Sequence, residues 1–112
     1  MAKPLFDVDE TRHANIAELI DVVPGAIVSK TLIDTGPLKQ VLFSMDAGQE
    51  ISEHKAQFPA MVHVLSGQLR FGIGDDDRQM GTNDWVLLKP SEPHDLTATE
   101  PTRFLLTLIK ES

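Results

Sequence analysis

The stretch that decides the fold is "SEHKAQFPAMVHVLSG", residues 52–67. It holds two of the four histidines of the chain, His54 and His63, and an apolar segment that ends before Gly67. Alternating apolar and polar residues in "AMVHVL" predict a strand with one buried face. The two histidines raise the question of whether a metal or a ligand binds beside this strand.

The pattern continues on both sides of this strand. Further strands are predicted at "AIVSKTLI" (26–33), "LKQVLFSM" (38–45), "QLRFGI" (68–73), "RQM" (78–80), "WVLLK" (85–89), "HDLTA" (94–98) and "RFLLTLI" (103–109). Turn signals separate them, and Ser66-Gly67 is interpreted as a two-residue hairpin. About eight to nine short strands, spaced roughly ten residues apart, predict an all-β antiparallel sandwich or barrel.

One helix is predicted near the start of the chain. Asn15 and Glu18 have the spacing of a capping box, and Pro24-Gly25 supplies an end signal, which together predict a helix of about two turns. We therefore expect one domain, with an N-terminal arm and short helix over 1–25 and a barrel over 26–112.

The last predicted strand is apolar on both faces. Phe104, Leu106 and Leu108 face one way, whereas Leu105 and Ile109 face the other. Since the second face of a small barrel normally meets water, we expect a homodimer to cover it. The alternative is that the N-terminal helix and strand cover it within one chain.

Composition excludes several partners. Ten Lys and Arg against seventeen Asp and Glu give a formal charge of −7 over 112 residues, so nucleic acid is not an expected partner. No stretch has the length and apolarity of a membrane span, and the sequence contains no Cys for disulfides or thiolate metal sites. We expect a cytoplasmic protein that does not associate with membranes.

Two motifs carry a family resemblance. Gly48 is followed by five residues and then His54, with Gly67 closing the first motif, and "NDWVLLKPSEPH" forms a second that ends at His94. The chain resembles a small single-domain cupin of the conserved-barrel (cupin 2, RmlC-like) type over about residues 26–110. The resemblance implies a double-stranded β-helix, or jelly-roll barrel.

The same motifs depart from the pattern of the family. Ala56 and Ala60 occupy the second His and the Glu positions, so His54 and His94 alone remain of the four usual metal ligands. In the second motif, the Gly, Pro and Gly positions hold other residues, namely Asn83, Lys89 and Ser91. The resemblance implies a divalent transition metal (Zn, Ni, Cu, Fe or Mn) as an option only if two imidazoles can retain it.

A third ligand would have to come from another residue. With Ala60 facing inward, alternation turns His63 outward, and it also excludes Glu53 and Asp95. Glu50 shares the parity of His54, and Gln57 could supply an amide oxygen from the loop.

The inward positions predict a mostly apolar pocket with His54 and His94 as polar anchors. The inward residues are Val41, Phe43, Met45, His54, Ala60, Val62, Val64, His94 and Leu96. Phe43, Met45 and Gln57 are the further ligand contacts expected, with Trp85 and Phe58 framing the mouth. The alternative is that Met and Phe side chains simply fill the barrel.

Three functions stay open from the sequence. The first is a barrel that binds a small organic molecule through His54 and His94, with metal optional. The second is a metal-dependent enzyme of the dioxygenase or isomerase type with a rebuilt ligand set. The third is a non-catalytic sensing or interaction barrel, and fold alone does not choose among them.

Overall fold

A computed structural model describes residues 3–110 of the chain. It contains one 3₁₀ helix, Ile16–Leu19, and nine strands. The strands are β1 (Ile27–Asp34), β2 (Leu38–Met45), β3 (Glu50–His54), β4 (Ala60–Ser66), β5 (Leu69–Ile73), β6 (Asp76–Met80), β7 (Trp85–Leu88), β8 (His94–Ala98) and β9 (Thr102–Ile109). Within these residues, no helix has the length and hydropathy needed to cross a membrane.

The strands form two antiparallel sheets that face each other. One has the order β1-β2-β9-β4-β7 and the other the order β3-β8-β5-β6. Alternate side chains of each strand enter the space between the sheets, as Val62 and Val64 of β4 do, with 3% and 0% of their surfaces exposed. The prediction of an all-β jelly-roll barrel is confirmed.

The hairpin predicted at Ser66-Gly67 is wrong, because the strands on either side of this turn do not pair with each other. β4 pairs with β7 and β9, whereas β5 pairs with β6 and β8, so these residues carry the chain from one sheet to the other. Gly67 has φ +93°, and a Cβ atom there would lie 2.3 Å from the carbonyl oxygen of Pro101. Glycine is required at this corner because the start of β9 runs directly against it.

The N-terminal helix is shorter than the two turns predicted. Asn15 makes no side-chain cap hydrogen bond, and its Nδ2 donates to the carboxylate of Glu18 at 3.5 Å. The chain is already extended at Ile20. Side chains of the sheet bind the carbonyls that a longer helix would use: Lys30 Nζ donates to Leu19 O at 2.9 Å, and Arg103 Nε donates to Ile20 O at 2.9 Å.

The outer face of β9 is covered by the chain itself. Ile20, Leu32 and Leu42 form a second buried cluster, and Leu105 packs against it. The other residues of this cluster are Phe6, Ile16, Leu19, Val28 and Leu65. The within-chain alternative therefore explains the apolar character of Leu105, and the homodimer stays a prediction that needs another basis.

Candidate functional site

His54 and His94 meet across two paired strands at the end of the four-stranded sheet. They are direct partners in the β3–β8 ladder, and their ring centroids lie 4.2 Å apart with the planes inclined by 61°. His94 is 6% exposed, whereas His54 lies at the surface. The pair thus joins a buried imidazole to one that solvent reaches.

A β-bulge places His54 on this face. Ile51 pairs with Leu96, but His54 rather than residue 53 pairs with His94, so β3 contains one extra residue between these two pairs. A bulge of this kind reverses the side-chain alternation beyond it. Glu50, predicted to share the parity of His54, instead pairs with Thr97 on the outer face, and that prediction is wrong for this reason.

Backbone carbonyls orient both rings. Nδ1 of His54 contacts Ser52 O at 2.9 Å, and Nδ1 of His94 contacts Glu92 O at 2.8 Å. A carbonyl oxygen only accepts hydrogen bonds, so each Nδ1 carries the proton and donates it. In the neutral rings, both Nε2 atoms therefore keep a free lone pair.

Burial favours the neutral form of His94. Loss of solvent around the ring lowers its pKa below the ordinary value of 6.5. The bond to Glu92 O opposes part of this shift, and the proximity of His54 adds a smaller lowering contribution. Phe71 stacks beneath the ring at 5.9 Å between centroids, with a plane angle of 12°. Phe71 was not predicted as part of the site, because alternation in "QLRFGI" shows that it faces inward but not which strand lies beside it.

The carboxylate nearest to His94 in the sequence points away from the pair. Asp95 is bound to Arg70 on the outer face of the sheet, and Asp77 contacts the same guanidinium at 2.6 Å. The hydrogen bond to Asp95 is the main cause of a raised pKa of Arg70. Gly72 leaves room for this cluster, since a Cβ there would lie 2.2 Å from Asp95 Oδ1. The exclusion of Asp95 as a ligand agrees with this geometry.

His63 and Trp85 lie on the outer face of the five-stranded sheet. They are direct partners in the β4–β7 ladder, and Val62 and Val64 on either side of His63 point into the core. His63 Nε2 contacts Asn83 Oδ1 at 3.3 Å. The outward direction predicted for His63 holds, whereas the expectation that Trp85 frames the mouth is wrong, because direct partners in a ladder share a face.

Phe43 and Met45 pack into the barrel core. Met45 is fully buried, and Phe43 stacks on Phe104 with ring centroids 4.9 Å apart. Ala60 is 2% exposed within the same core. These contacts correspond to the alternative in which Met and Phe side chains fill the barrel, and contact of Phe43 or Met45 with a ligand stays a prediction.

The loop that carries Gln57 borders the histidine pair. Gln57 is exposed between β3 and β4, and this loop is tied to the β7–β8 loop by the N–H of Ser91, which donates to Ala56 O at 2.7 Å. Two cavities, of about 430 and 290 Å³, lie elsewhere, around Phe6 and Arg12 of the N-terminal segment.

The donor set offers two metal ligands where the usual cupin centre has four. Among residues 3–110, no group of three or more His, Cys, Asp or Glu side chains is placed to hold a metal ion. A two-His-one-carboxylate centre needs a carboxylate beside the imidazoles. Since Glu50 and Asp95 are on the outer face, the described residues do not fit such a centre.

Fold and site together define a small antiparallel β-barrel with a paired-histidine site at one end. A family model described as "Cupin domain" matches residues 41–108, which is more than half of the chain. The chain belongs to the cupin family. None of the curated proteins compared matches this sequence.

Solved structures agree with this assignment. A conserved protein of unknown function from Streptococcus pyogenes, SPY1581, is 25% identical, with a TM-score of 0.85, and the match covers 100% of this chain and 97% of that one. A cupin 2 conserved barrel domain protein from Leptotrichia buccalis is 30% identical with a TM-score of 0.82, over 87% of this chain and 47% of that one. A cupin superfamily protein from Desulfitobacterium hafniense DCB-2 shares the fold at 18% identity and a TM-score of 0.84, over 91% and 94% of the two chains.

Proposed function

We propose that this cupin binds a small organic molecule at the end of the barrel through Nε2 of His54 and Nε2 of His94. The observation that carries the proposal is that both Nδ1 atoms donate to backbone carbonyls while the two rings lie 4.2 Å apart. Two imidazoles held in this way offer two acceptors on neighbouring rings.

Two acceptor nitrogens favour ligand groups that can donate a hydrogen bond. A neutral imidazole with a free Nε2 accepts a hydrogen bond from a hydroxyl, an N–H or a protonated carboxyl group. Phe71 is fully buried behind His94 and supports the position of its ring. The class favoured is therefore a small molecule with adjacent hydroxyl groups, and Gln57 is the proposed further contact from the loop.

Metal is not required by this proposal. Two nitrogen donors form an incomplete set, and the alternative of a metal-dependent enzyme needs a third ligand that the described carboxylates do not supply. Elemental analysis of untagged protein before and after chelation separates the two functions. Stoichiometric metal that is lost in His54→Asn and in His94→Asn would support the enzyme and contradict the proposal.

Ligand binding is tested by NMR with defined probes. ¹H–¹⁵N spectra would be recorded during titration with small polyols. We expect shift changes at the amides around His54 and His94, with binding at least about 10-fold weaker in His54→Asn and His94→Asn, because Asn retains a donor near Nδ1 but lacks the Nε2 acceptor.

The matched control is His63→Asn, since His63 is on the opposite face of a strand from the core. We expect this variant to bind the probes as the unaltered protein does. Equal weakening in all three variants, or no shift change with any probe, would contradict the proposed site.

A further inference from the structure

One edge of the five-stranded sheet is open at β7. β7 pairs with β4 on one side, and among residues 3–110 no strand pairs with its other side. At the opposite edge, the N–H groups of Leu5 and Phe6 donate to Thr31 O and Leu32 O at 2.9 and 3.0 Å. The N-terminal segment thus covers one edge of this sheet and leaves the β7 edge uncovered.

The peptide groups at the open edge belong to Trp85 and Leu87. Val64 N–H donates to Asp84 O at 3.0 Å, so the carbonyl group of Asp84 faces β4, whereas its N–H donates to Gly81 O in the preceding turn. Alternation along an antiparallel ladder then directs the peptide groups of Val86 to β4 and those of Trp85 and Leu87 away from it. An unpaired edge of this kind is a template for another strand.

The side chains of the same two residues are exposed and apolar. Trp85 is 56% exposed and Leu87 is 53% exposed, although both belong to a regular strand. Their partners on β4, His63 and Met61, lie on the same outer face. Exposed apolar side chains next to unpaired backbone groups indicate a surface that associates with another chain.

Charge favours a second copy as the occupant. The chain has a formal charge of −7, but Trp85–Leu88 contains no charged residue, and Asp84 and Lys89 flank it with opposite signs. Antiparallel pairing of two copies brings the Lys89 end of each strand to the Asp84 end of the other. Parallel pairing would place like charges together.

We propose that β7 pairs with β7 of a second copy, antiparallel about a two-fold axis perpendicular to the sheet. Such an axis keeps the outer faces on one side, so Trp85 of each copy lies opposite Leu87 of the other, and Val86 lies opposite Val86. Each Trp85–Leu87 pair exchanges two backbone hydrogen bonds. The contact is narrower than the roughly 800 Å² per partner of a standard interface, so dimerisation depends on protein concentration.

Sedimentation equilibrium with a matched pair of variants tests the pairing. Proline and valine have similar volumes, but Leu87→Pro removes the edge N–H and Leu87→Val keeps it. We expect Leu87→Val to dimerise within about threefold of the unaltered protein, and Leu87→Pro to dimerise about 10- to 100-fold more weakly. Equal dimerisation of the two variants would overturn the proposal, as would a protein that stays monomeric up to about 1 mM.

Amide hydrogen exchange of the unaltered protein gives a test that does not depend on the folding of a variant. The N–H groups of Trp85 and Leu87 should gain protection as the protein concentration rises, whereas that of Val86 should be protected throughout. Protection of Trp85 and Leu87 that does not change with concentration in a dimerising sample would place the interface elsewhere and overturn the proposal.

Discussion

Asn83 and Ser91 have left-handed backbone conformations, with φ of 70° and 64°. Among residues 3–110, no other residue except glycine has a positive φ. Both occupy positions where the second cupin motif has glycine. The backbone geometry of that motif is thus kept although its glycines are absent. At Ser91 the geometry directs the N–H to Ala56 O and joins the two loops beside the histidine pair.

Ser91→Gly should stabilise the protein. Glycine adopts φ of 64° without the steric cost that a Cβ atom brings, and the backbone bond to Ala56 O is retained. We expect the free energy of unfolding to rise by about 0.5–1 kcal/mol in urea denaturation. Ser29→Gly in the exposed part of β1 is the control, and the free energy of unfolding of this variant should fall by a similar amount. A loss of stability in Ser91→Gly would contradict the strain inferred here.

The buried ring of His94 should make stability depend on pH. Its pKa in the folded protein lies below the ordinary 6.5, chiefly because of burial. Between the two values the unfolded chain binds more protons, so the free energy of unfolding is highest above pH 6.5 and falls as the pH falls through this window.

Urea denaturation at several pH values, with His94→Asn for comparison, measures this contribution. The variant should show a smaller fall in unfolding free energy below pH 6.5 than the unaltered protein. The carboxylates of both proteins titrate together at lower pH, so the difference between the two profiles isolates His94. Coincident profiles would show that the ring is not protected from protonation.

At the scale of elements, the sequence pattern locates most strands but not all of their relations. β2 and β8 begin and end where the alternation predicted, at Leu38–Met45 and His94–Ala98. β3 was not predicted, because its bulge interrupts the alternation that identifies a strand. The same bulge explains why the face of Glu50 was predicted wrongly. His54 was identified from the motif spacing, which does not depend on alternation.

The N-terminal helix shows a limit of local signals. Asn15 and Glu18 fit a capping pattern, but Lys30, Ser44 and Arg103 bind the carbonyls of residues 19–21 and hold the chain extended. Those three side chains are distant in sequence, so no local pattern contains them. Tertiary contacts therefore determine where this helix ends.

Ile20→Ala tests whether the N-terminal segment is part of the folded core. Ile20 is 1% exposed in the cluster that covers Leu105, so truncation leaves a cavity and should lower the free energy of unfolding by about 2–4 kcal/mol. Val23→Ala is the control, since Val23 is 43% exposed, and should change stability by less than about 0.5 kcal/mol. Equal small effects would mean that the segment is only loosely attached.

At the scale of the whole molecule, two paired strands from distant parts of the chain create the site. His54 and His94 are forty residues apart in sequence and are direct partners in one ladder. Motif spacing was enough to predict their meeting within a cupin barrel. The directions of Asp95 and Trp85 depend on strand pairing, and the bonds from Nδ1 to Ser52 O and Glu92 O depend on the local backbone path.

The central claim is that His54 and His94 offer free Nε2 atoms on neighbouring rings, and a long-range ¹H–¹⁵N spectrum of the histidine rings tests it most directly. The spectrum would be recorded at about pH 7.5, where an ordinary histidine is mostly neutral, with assignments from His54→Asn and His94→Asn. The account predicts that both rings are protonated on Nδ1 and unprotonated on Nε2. A proton on Nε2 of either ring would contradict it.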